Sequence, residues 1–332
     1  MFVPSVAAIF AWTVLHSQDV SVIRSYRIES SFCEAVLPQF YEDWYLTGDT
    51  FSCQQVHALV RQSFDAWQHN SHLAFREMLH GAPDIVLRAQ RISGRTVAHA
   101  TLDSNATVHI TVDQDSCWYT DRLFCGSVNA YAIPLVASTV ASWITSAVLI
   151  VFVLVHPANR IDGTARIISW TLFLSAPLTL FGVILPCLRC VDFVGVVMHE
   201  IGHALGFGHS DAAAETALHQ CGCGDAVVVC EVAPVPGIMH HRAQRPSLSC
   251  LQRDDVDGLR SLYGGRCDDP VWCYQVASFA GFSRFSASLV YAFLIAWLFV
   301  AVRNAASYCR ARRRRHPPAP PRAVPPPRAP VH

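Results

Sequence analysis

Apolar residues at helical spacing mark one amphipathic element in the N-terminal part of the chain. Within residues 54–75 they stand at Val56, Leu59, Val60, Phe64 and Trp67. Intervals of three and four residues predict an amphipathic helix over residues 53–69. Three short apolar runs then predict β-strands: Asp84–Ala89, Thr96–Ala100 and Val108–Val112. Residues 21–44 show neither period, so the pattern assigns no element to them.

Three longer runs are apolar almost throughout. Residues 131–155 and 167–187 contain no charged side chain, and residues 285–302 form the third run. Each is long enough to cross the hydrocarbon core of a bilayer as a helix. We therefore expect a transmembrane hairpin, followed near the C terminus by a third transmembrane helix. Residues 1–17 form a shorter apolar run, which predicts a signal peptide or an uncleaved N-terminal anchor.

The distribution of charge orients these spans. The chain is 52% hydrophobic and only 15% charged, which is unusual for a soluble enzyme. Eight arginines and no acidic residue follow position 302, so residues 303–332 are predicted to be a cytosolic tail. A hairpin of two spans then leaves residues 35–125 and 190–265 together on the extracellular or lumenal side, in a multi-pass membrane protein. The basic tail suits anionic membrane lipid, and the acidic remainder gives no reason to expect nucleic acid.

The tail and the cysteines add two further expectations. Proline-rich residues after position 315 predict an extended segment that stays solvated or binds a proline-docking partner. Thirteen cysteines occur, and all but Cys309 lie in regions predicted to be exoplasmic, which favours disulfides over a zinc finger because no CxxC pair is present. Asn105-Ala106-Thr107 is an N-glycosylation sequon in a predicted turn.

The chemistry of the chain is concentrated in residues 197–210, VMHEIGHALGFGHS. His199 and His203 are four residues apart, so a helix places both on one face, where they can ligate one zinc ion. Gly206 lets the helix end and the chain turn back, so that His209 can supply a third nitrogen. Three protein ligands leave one tetrahedral position open, as in a catalytic zinc site, and the adjacent Glu200 is placed to act as general base.

These residues resemble the metzincin metalloproteases, and more narrowly the matrixin, or matrix metalloprotease, family. Ser210 after the third histidine fits the matrixin branch, and residues 236–239, PGIM, resemble a Met-turn with Met239 beneath the zinc ligands. Residues 251–264, LQRDDVDGLRSLYG, resemble the closing helix of the family. The order of the predicted first helix and strands also agrees with the family. The likeness covers about residues 40–125 and 190–265.

The resemblance implies a fold and an activity. The fold is an α+β or α/β catalytic domain, in which helices pack on a twisted, mainly parallel sheet, here interrupted by the transmembrane hairpin. The activity is that of a zinc-dependent metalloendopeptidase acting on extracellular, matrix or cell-wall proteins. Zinc activates a water and Glu200 takes its proton. Asp113 and Asp115 stand where family members often bind calcium, and His241 is a candidate for the wall of the cleft. No cysteine-switch motif is present, and only His99 and His109 match the structural zinc site of the family.

Three alternatives stay open at this point. HExxH close to apolar spans is also the pattern of an intramembrane site-2-type protease, although the only LDG-like triplet, residues 161–163, precedes the motif. A membrane adhesion or scaffold protein with an inactive metzincin-like domain is the non-enzymatic reading. The hairpin could also be a translated intron in the gene model rather than a genuine insertion.

Overall fold

The computed structural model describes residues 23–41, 51–155, 163–209, 220–221, 228–229, 237–239, 250–263, 270–273 and 280–315. The predictions for residues 1–17, Ser210 and His241, and for the tail beyond residue 315, lie outside these ranges. The described residues fall into two compact units, whose bounds along the chain are as follows. One contains residues 1–137 and 180–287, and the other contains residues 138–179 and 288–332.

The first unit is built on a five-stranded mixed sheet. Its strands are β1 (Ile23–Ile28), β2 (Ala74–Glu77), β3 (Ile85–Gln90), β4 (Ala98–Leu102) and β5 (Val108–Asp113), in the order β2-β1-β3-β5-β4. The pairs β1–β2, β1–β3 and β3–β5 are parallel, and β4 lies antiparallel to β5 at one edge. The three predicted strands are therefore confirmed as β3, β4 and β5, although β4 begins at Ala98 rather than Thr96.

The pattern of the sequence missed β1 because its apolar residues do not alternate. In IRSYRI only Tyr26 is buried, where its ring stacks on Phe64 at 3.9 Å between centroids. A strand flanked by partners on both sides obtains its main-chain hydrogen bonds from the sheet, so it needs no amphipathic pattern of its own. Residues beyond it form a short helix, α1 (Phe32–Val36), and a 3₁₀ turn (Leu37–Gln39).

The predicted amphipathic helix is confirmed as α2 (Cys53–Gln68). It begins with a capping box, in which the Ser52 hydroxyl accepts from the N–H of Gln55 and the Gln55 side chain accepts from the N–H of Ser52. Its apolar face is buried in the core through Val56, Val60, Phe64 and Trp67. The indole Nε1 of Trp67 donates to the carbonyl of Met198 at 3.0 Å, which ties α2 to the helix that carries the HExxH motif.

Two disulfides close the neck of the inserted segment. A parallel pair of short strands, β6 (Trp118–Tyr119) and β7 (Val191–Asp192), brings the two ends of the insertion together. Cys117–Cys190 and Cys125–Cys187 lie beside this pair, with Cα atoms 4.6 and 4.9 Å apart. Cys33–Cys53 and Cys250–Cys273 are also bonded, and Cys309 is free. The prediction of disulfides is confirmed for these described cysteines.

The described residues between the two neck disulfides are helical. They form α3 (Arg122–Ala130), α4 (Ala132–Val155), α5 (Gly163–Thr179), a π-helical turn (Leu180–Ile184) and α6 (Leu185–Arg189). The π turn follows Pro177, which has no N–H for the helical ladder. Three stretches of the described residues are helices long and apolar enough to cross a membrane: Ala132–Phe152, Arg166–Arg189 and Gly281–Ala311.

The remaining elements follow the insertion. They are α7 (Phe193–Ala204), the short pair β8 (Gln220–Cys221) and β9 (Val228–Val229), α8 (Arg253–Tyr263) and α9 (Ala280–Arg315). Helix α9 begins five residues before the predicted span and continues through the arginines. Its buried positions Ser288, Ala292, Ala296 and Val300 recur every four residues. Large apolar side chains such as Trp297 and Phe293 are exposed on it, as expected for a surface that faces lipid.

Candidate metal centre

Helix α7 carries two of the predicted ligands and ends just before the third. His199 and His203 lie one turn apart on α7, which ends at Ala204 with Leu205 as its C-cap residue. Gly206 has φ +94°, a left-handed conformation that lets the chain reverse without the steric cost of a side chain. The N–H of Phe207 then donates back to the carbonyl of Gly202 at 3.0 Å. This reversal brings His209 against the two helical histidines.

The three histidines present one nitrogen each to a common point. Nε2 of His209 lies 3.3 Å from Nε2 of His199 and 3.1 Å from Nε2 of His203. Nitrogens bound tetrahedrally to zinc at about 2.0–2.1 Å would be about 3.3 Å apart, so the observed spacing fits that ion. Among the described residues this is the only group of three or more potential ligands whose atoms converge in this way.

The other ring nitrogens of two of these residues are held by backbone carbonyls. Nδ1 of His199 lies 2.7 Å from the carbonyl of Ile238, and Nδ1 of His203 lies 2.8 Å from the carbonyl of Phe207. A carbonyl can only accept, so each Nδ1 must carry the proton. The lone pair of each Nε2 is then available to a metal ion, with the ring already oriented. The donor set therefore fits a zinc ion.

Met239 lies beneath the helix that carries the ligands. Its side chain is 2% exposed and sits against Gly202 of α7, where an added Cβ would lie 2.2 Å from the methionine sulfur. The carboxylate of Asp255, on α8, accepts from the N–H groups of Ile238 and Met239 at 2.8 and 3.3 Å. The phenol of Tyr263, also on α8, donates to the carbonyl of Leu205 at the end of α7. The closing helix thus supports both the Met-turn and the end of the ligand helix.

Glu200 is a buried carboxylate beside the first ligand. It is 5% exposed, and its Oε2 has no hydrogen-bond partner among the described residues. Burial raises its pKa to about 8, and a hydrogen bond from the backbone N–H of Ala100 on β4 acts in the opposite direction. A divalent cation bound to the neighbouring histidines would favour the charged form and lower this pKa.

The calcium expectation is not supported. The Asp113 carboxylate accepts from the N–H of Ile92 and from the hydroxyl of Ser116, and Asp115 forms an ion pair with Arg91. These oxygens are turned toward protein donors, as in an ordinary hydrogen-bonded turn. His109, one of two residues matching the family's structural zinc site, instead lies 3.1 Å from the carboxylate of Asp103 through its Nε2.

The structure brings the predicted site residues together. His199, His203 and His209 converge, Glu200 is adjacent and buried, Gly206 makes the turn and Met239 packs below. Sequence reasoning assigned no role to Gly202 or Asp255, although both lie within the quoted motifs. Two sequence signals could have identified these residues. Gly202 stands between the two helical ligands, and Asp255 is the second of two adjacent aspartates in the closing helix.

Fold and site together define a mononuclear three-histidine metal centre beneath the edge of a mixed sheet. The matrixin family model of peptidases matches residues 43–220, which is more than half of the chain. The chain belongs to the matrixin family, and that membership implies a catalytic zinc and suggests a metalloendopeptidase. A search of curated proteins finds no match. The matched range includes all three histidines but ends before Met239 and α8.

Proposed function

We propose that the chain is a membrane-anchored, zinc-dependent metalloendopeptidase that hydrolyses peptide bonds of extracellular, matrix or cell-wall proteins. One observation carries the proposal: three convergent histidine nitrogens, with the two Nε2 distances to His209 at tetrahedral spacing, lie beside a buried carboxylate of which one oxygen has no donor among the described residues. A structural zinc site would have four protein ligands, and the described residues supply three.

Glu200 is the general base of the proposed reaction. When bound, zinc supplies a Lewis acid that polarises the scissile carbonyl and acidifies a water molecule. Glu200 accepts a proton from the attacking water on Oε2 and later delivers it to the leaving amine. Burial and the cation act in opposite directions on the pKa of this carboxyl group: burial favours the neutral acid that delivers the proton, and a bound zinc ion would favour the ionised base that accepts it.

The substrate backbone would lie along β4. This strand is at the edge of the sheet, and it packs against α7 through the hydrogen bond between Ala100 and Glu200. An extended peptide can add to such an edge through main-chain hydrogen bonds. Because these bonds do not involve side chains, they can form with many substrate sequences. Side-chain selectivity would then come from pockets beside the strand.

Three apolar helices support the membrane anchoring. Their exposed apolar side chains suit lipid, and the arginines at the end of α9 favour a cytosolic C terminus, with the catalytic unit extracellular or lumenal. The tail would then have anionic lipid, and a proline-docking protein, as partners. Protease protection of a C-terminal tag tests this orientation. A tag that is digested on intact cells would contradict it.

The intramembrane alternative gains no support from α7. This helix has 12 residues, whereas a span needs about 20, and the described residues place it outside the three membrane candidates. Nor does any observation favour an inactive scaffold, since every ligand and Glu200 are present and placed together.

Cleavage of casein by the detergent-solubilised full chain tests the proposed activity. We expect cleavage that a chelator abolishes and zinc restores, and a loss of at least about a hundredfold in Glu200→Gln. Glu34→Gln, at an exposed position of α1, is the matched control and should leave the rate unchanged. Cleavage that survives both the chelator and Glu200→Gln would overturn the proposal.

A further inference from the structure

The turn between β4 and β5 presents the Asn105 sequon outward. Asp103 organises this turn, because its Oδ1 accepts from the N–H of Asn105 at 2.8 Å and from the N–H of Thr107 at 2.9 Å. The backbone of Asp103 and Thr107 also pairs, at 2.9 Å. Asn105 itself is exposed, and Ala106 next to it has φ +61°, which is typical of the tip of a tight turn. A bulky group on Asn105 would therefore extend into solvent and displace no packed side chain.

The compartment is indicated independently by the cysteines. Four disulfides link described residues of the same unit, and they form and persist in the secretory pathway. Asn105 lies well before Ala132–Phe152, the first candidate span within the described residues. It therefore belongs to the segment that would be translocated with these cysteines. In the whole sequence Asn105-Ala106-Thr107 is the single N-x-S/T sequon.

We propose that Asn105 carries an N-linked glycan, which marks the sheet-bearing half of the catalytic unit as lumenal. The side-chain amide nitrogen of Asn105 forms a bond to C1 of the first N-acetylglucosamine of a lipid-pyrophosphate-linked oligosaccharide. The bond from that carbon to the pyrophosphate oxygen breaks. The amide loses one proton, the lipid pyrophosphate leaves, and nothing is oxidised or reduced.

The proposal deepens the proposed function, because it assigns the side of the membrane on which the site works. Asn105 follows the end of β4, the strand that donates to Glu200, by three residues. The glycan and the proposed substrate-binding edge therefore belong to one hairpin. A glycan on this hairpin requires that β4, and with it the catalytic unit, be on the lumenal side.

Expression of the full chain in a eukaryotic secretory host tests the site. The wild-type protein should run more slowly on a gel than its sequence mass predicts, and digestion with an amide-cleaving glycosidase should remove the difference. Thr107→Val and Asn105→Gln should migrate like the digested protein, and Thr107→Ser, which keeps the sequon, should migrate like the wild type. Thr107→Val keeps a β-branched side chain at the position just before β5, so the strand should still form in this variant.

The mobility shift that reports the glycan does not depend on protease activity. Glu200→Gln is expressed in parallel and should show the same mobility shift, so failure of the proposed enzyme mechanism would not affect this result. A wild-type protein whose mobility the glycosidase does not change would overturn the proposal. So would a glycosidase-sensitive shift that persists in Thr107→Val.

Discussion

The main-chain carbonyl of Ile238 accepts a hydrogen bond of 2.7 Å from Nδ1 of His199, although the two residues are 39 positions apart. The N–H of the same Ile238 donates to the carboxylate of Asp255 at 2.8 Å. A buried acid on α8 thus fixes the segment that orients a ligand on α7. The geometry of the metal centre depends on a residue that does not ligate the metal.

Asp255→Asn should weaken both the fold and metal binding. The Asp255 carboxylate accepts three backbone N–H groups, from Gln252, Ile238 and Met239, whereas an amide must turn an NH₂ group toward at least one of them. We expect a loss of at least about 2 kcal/mol in the free energy of unfolding, from hydrogen bonds to a buried charge. Zinc affinity, measured by competition with a chelating dye, should fall about ten- to a hundredfold.

Asp257→Asn is the control for that variant. Asp257 lies on the same helix and forms a partly exposed ion pair with Arg253, so its loss should cost no more than about 0.5 kcal/mol. Equal effects of the two substitutions on zinc affinity would contradict the positioning role of Asp255.

Gly202→Ala should disrupt the packing beneath the ligands. The added Cβ would lie 2.2 Å from the sulfur of Met239 and 3.0 Å from the Trp67 ring, in a region where neither side chain has room to move. We expect destabilisation of about 1–3 kcal/mol, seen as a lower midpoint in urea, and reduced activity. Gly202→Ala combined with Met239→Ala should be less destabilised than the sum of the two single changes. If the losses in the free energy of unfolding were strictly additive, the two residues would not be in steric contact.

The ligands were predictable from sequence because their chemistry depends on short spacing. The three ligands, His199, His203 and His209, lie within eleven positions. Helix periodicity and one glycine turn are therefore enough to make their side chains converge. The support given by Asp255 and Gly202 depends on tertiary contacts with residues far along the chain, which no local pattern encodes. The strand β1 was missed for the same reason, since its place in the sheet is decided by its neighbours.

Gly206→Ala should cost stability through backbone strain alone. Gly206 has φ +94°, and an added Cβ would meet nothing within 4 Å, so the left-handed conformation is the whole penalty. That penalty is about 1–2 kcal/mol. The substitution should also raise the Kd for zinc, because the same turn places the ligand His209. Gly208→Ala also meets nothing within 4 Å and has no left-handed φ, so thermal unfolding should find it close to the wild type.

The insertion should be removable at its neck. The Cα atoms of Cys125 and Cys187 are 4.9 Å apart, so a Gly-Ser linker of three or four residues can replace residues 126–186. Because β6 and β7 stay paired and Cys117–Cys190 remains, the shortened chain should keep chelator-sensitive caseinase activity. The same shortened chain with Cys125→Ser and Cys187→Ser should be less stable by about 2 kcal/mol, because this disulfide would close a loop of only about six residues. A shortened protein that folds and reaches the cell surface but binds no zinc would show that the insertion completes the site.

The free energy of unfolding at acid pH should depend on Asp103. Hydrogen bonds from the backbone of Thr107 and from His109, with a further one from Asn105, hold the pKa of this carboxyl below its ordinary value of 3.8. A carboxyl with a lowered pKa stabilises the folded state above the pKa of the unfolded chain, and that stabilisation is lost as the pH falls through the folded-state pKa.

Unfolding in urea between pH 7 and pH 2 should therefore show a decline in stability at the acid end for the wild type. The decline should be shallower for Asp103→Ala, which is also less stable at pH 7 because the turn loses its acceptor. Glu34→Gln, which removes an exposed carboxylate elsewhere, should keep the wild-type slope, and an unchanged slope in Asp103→Ala would count against the role of this turn.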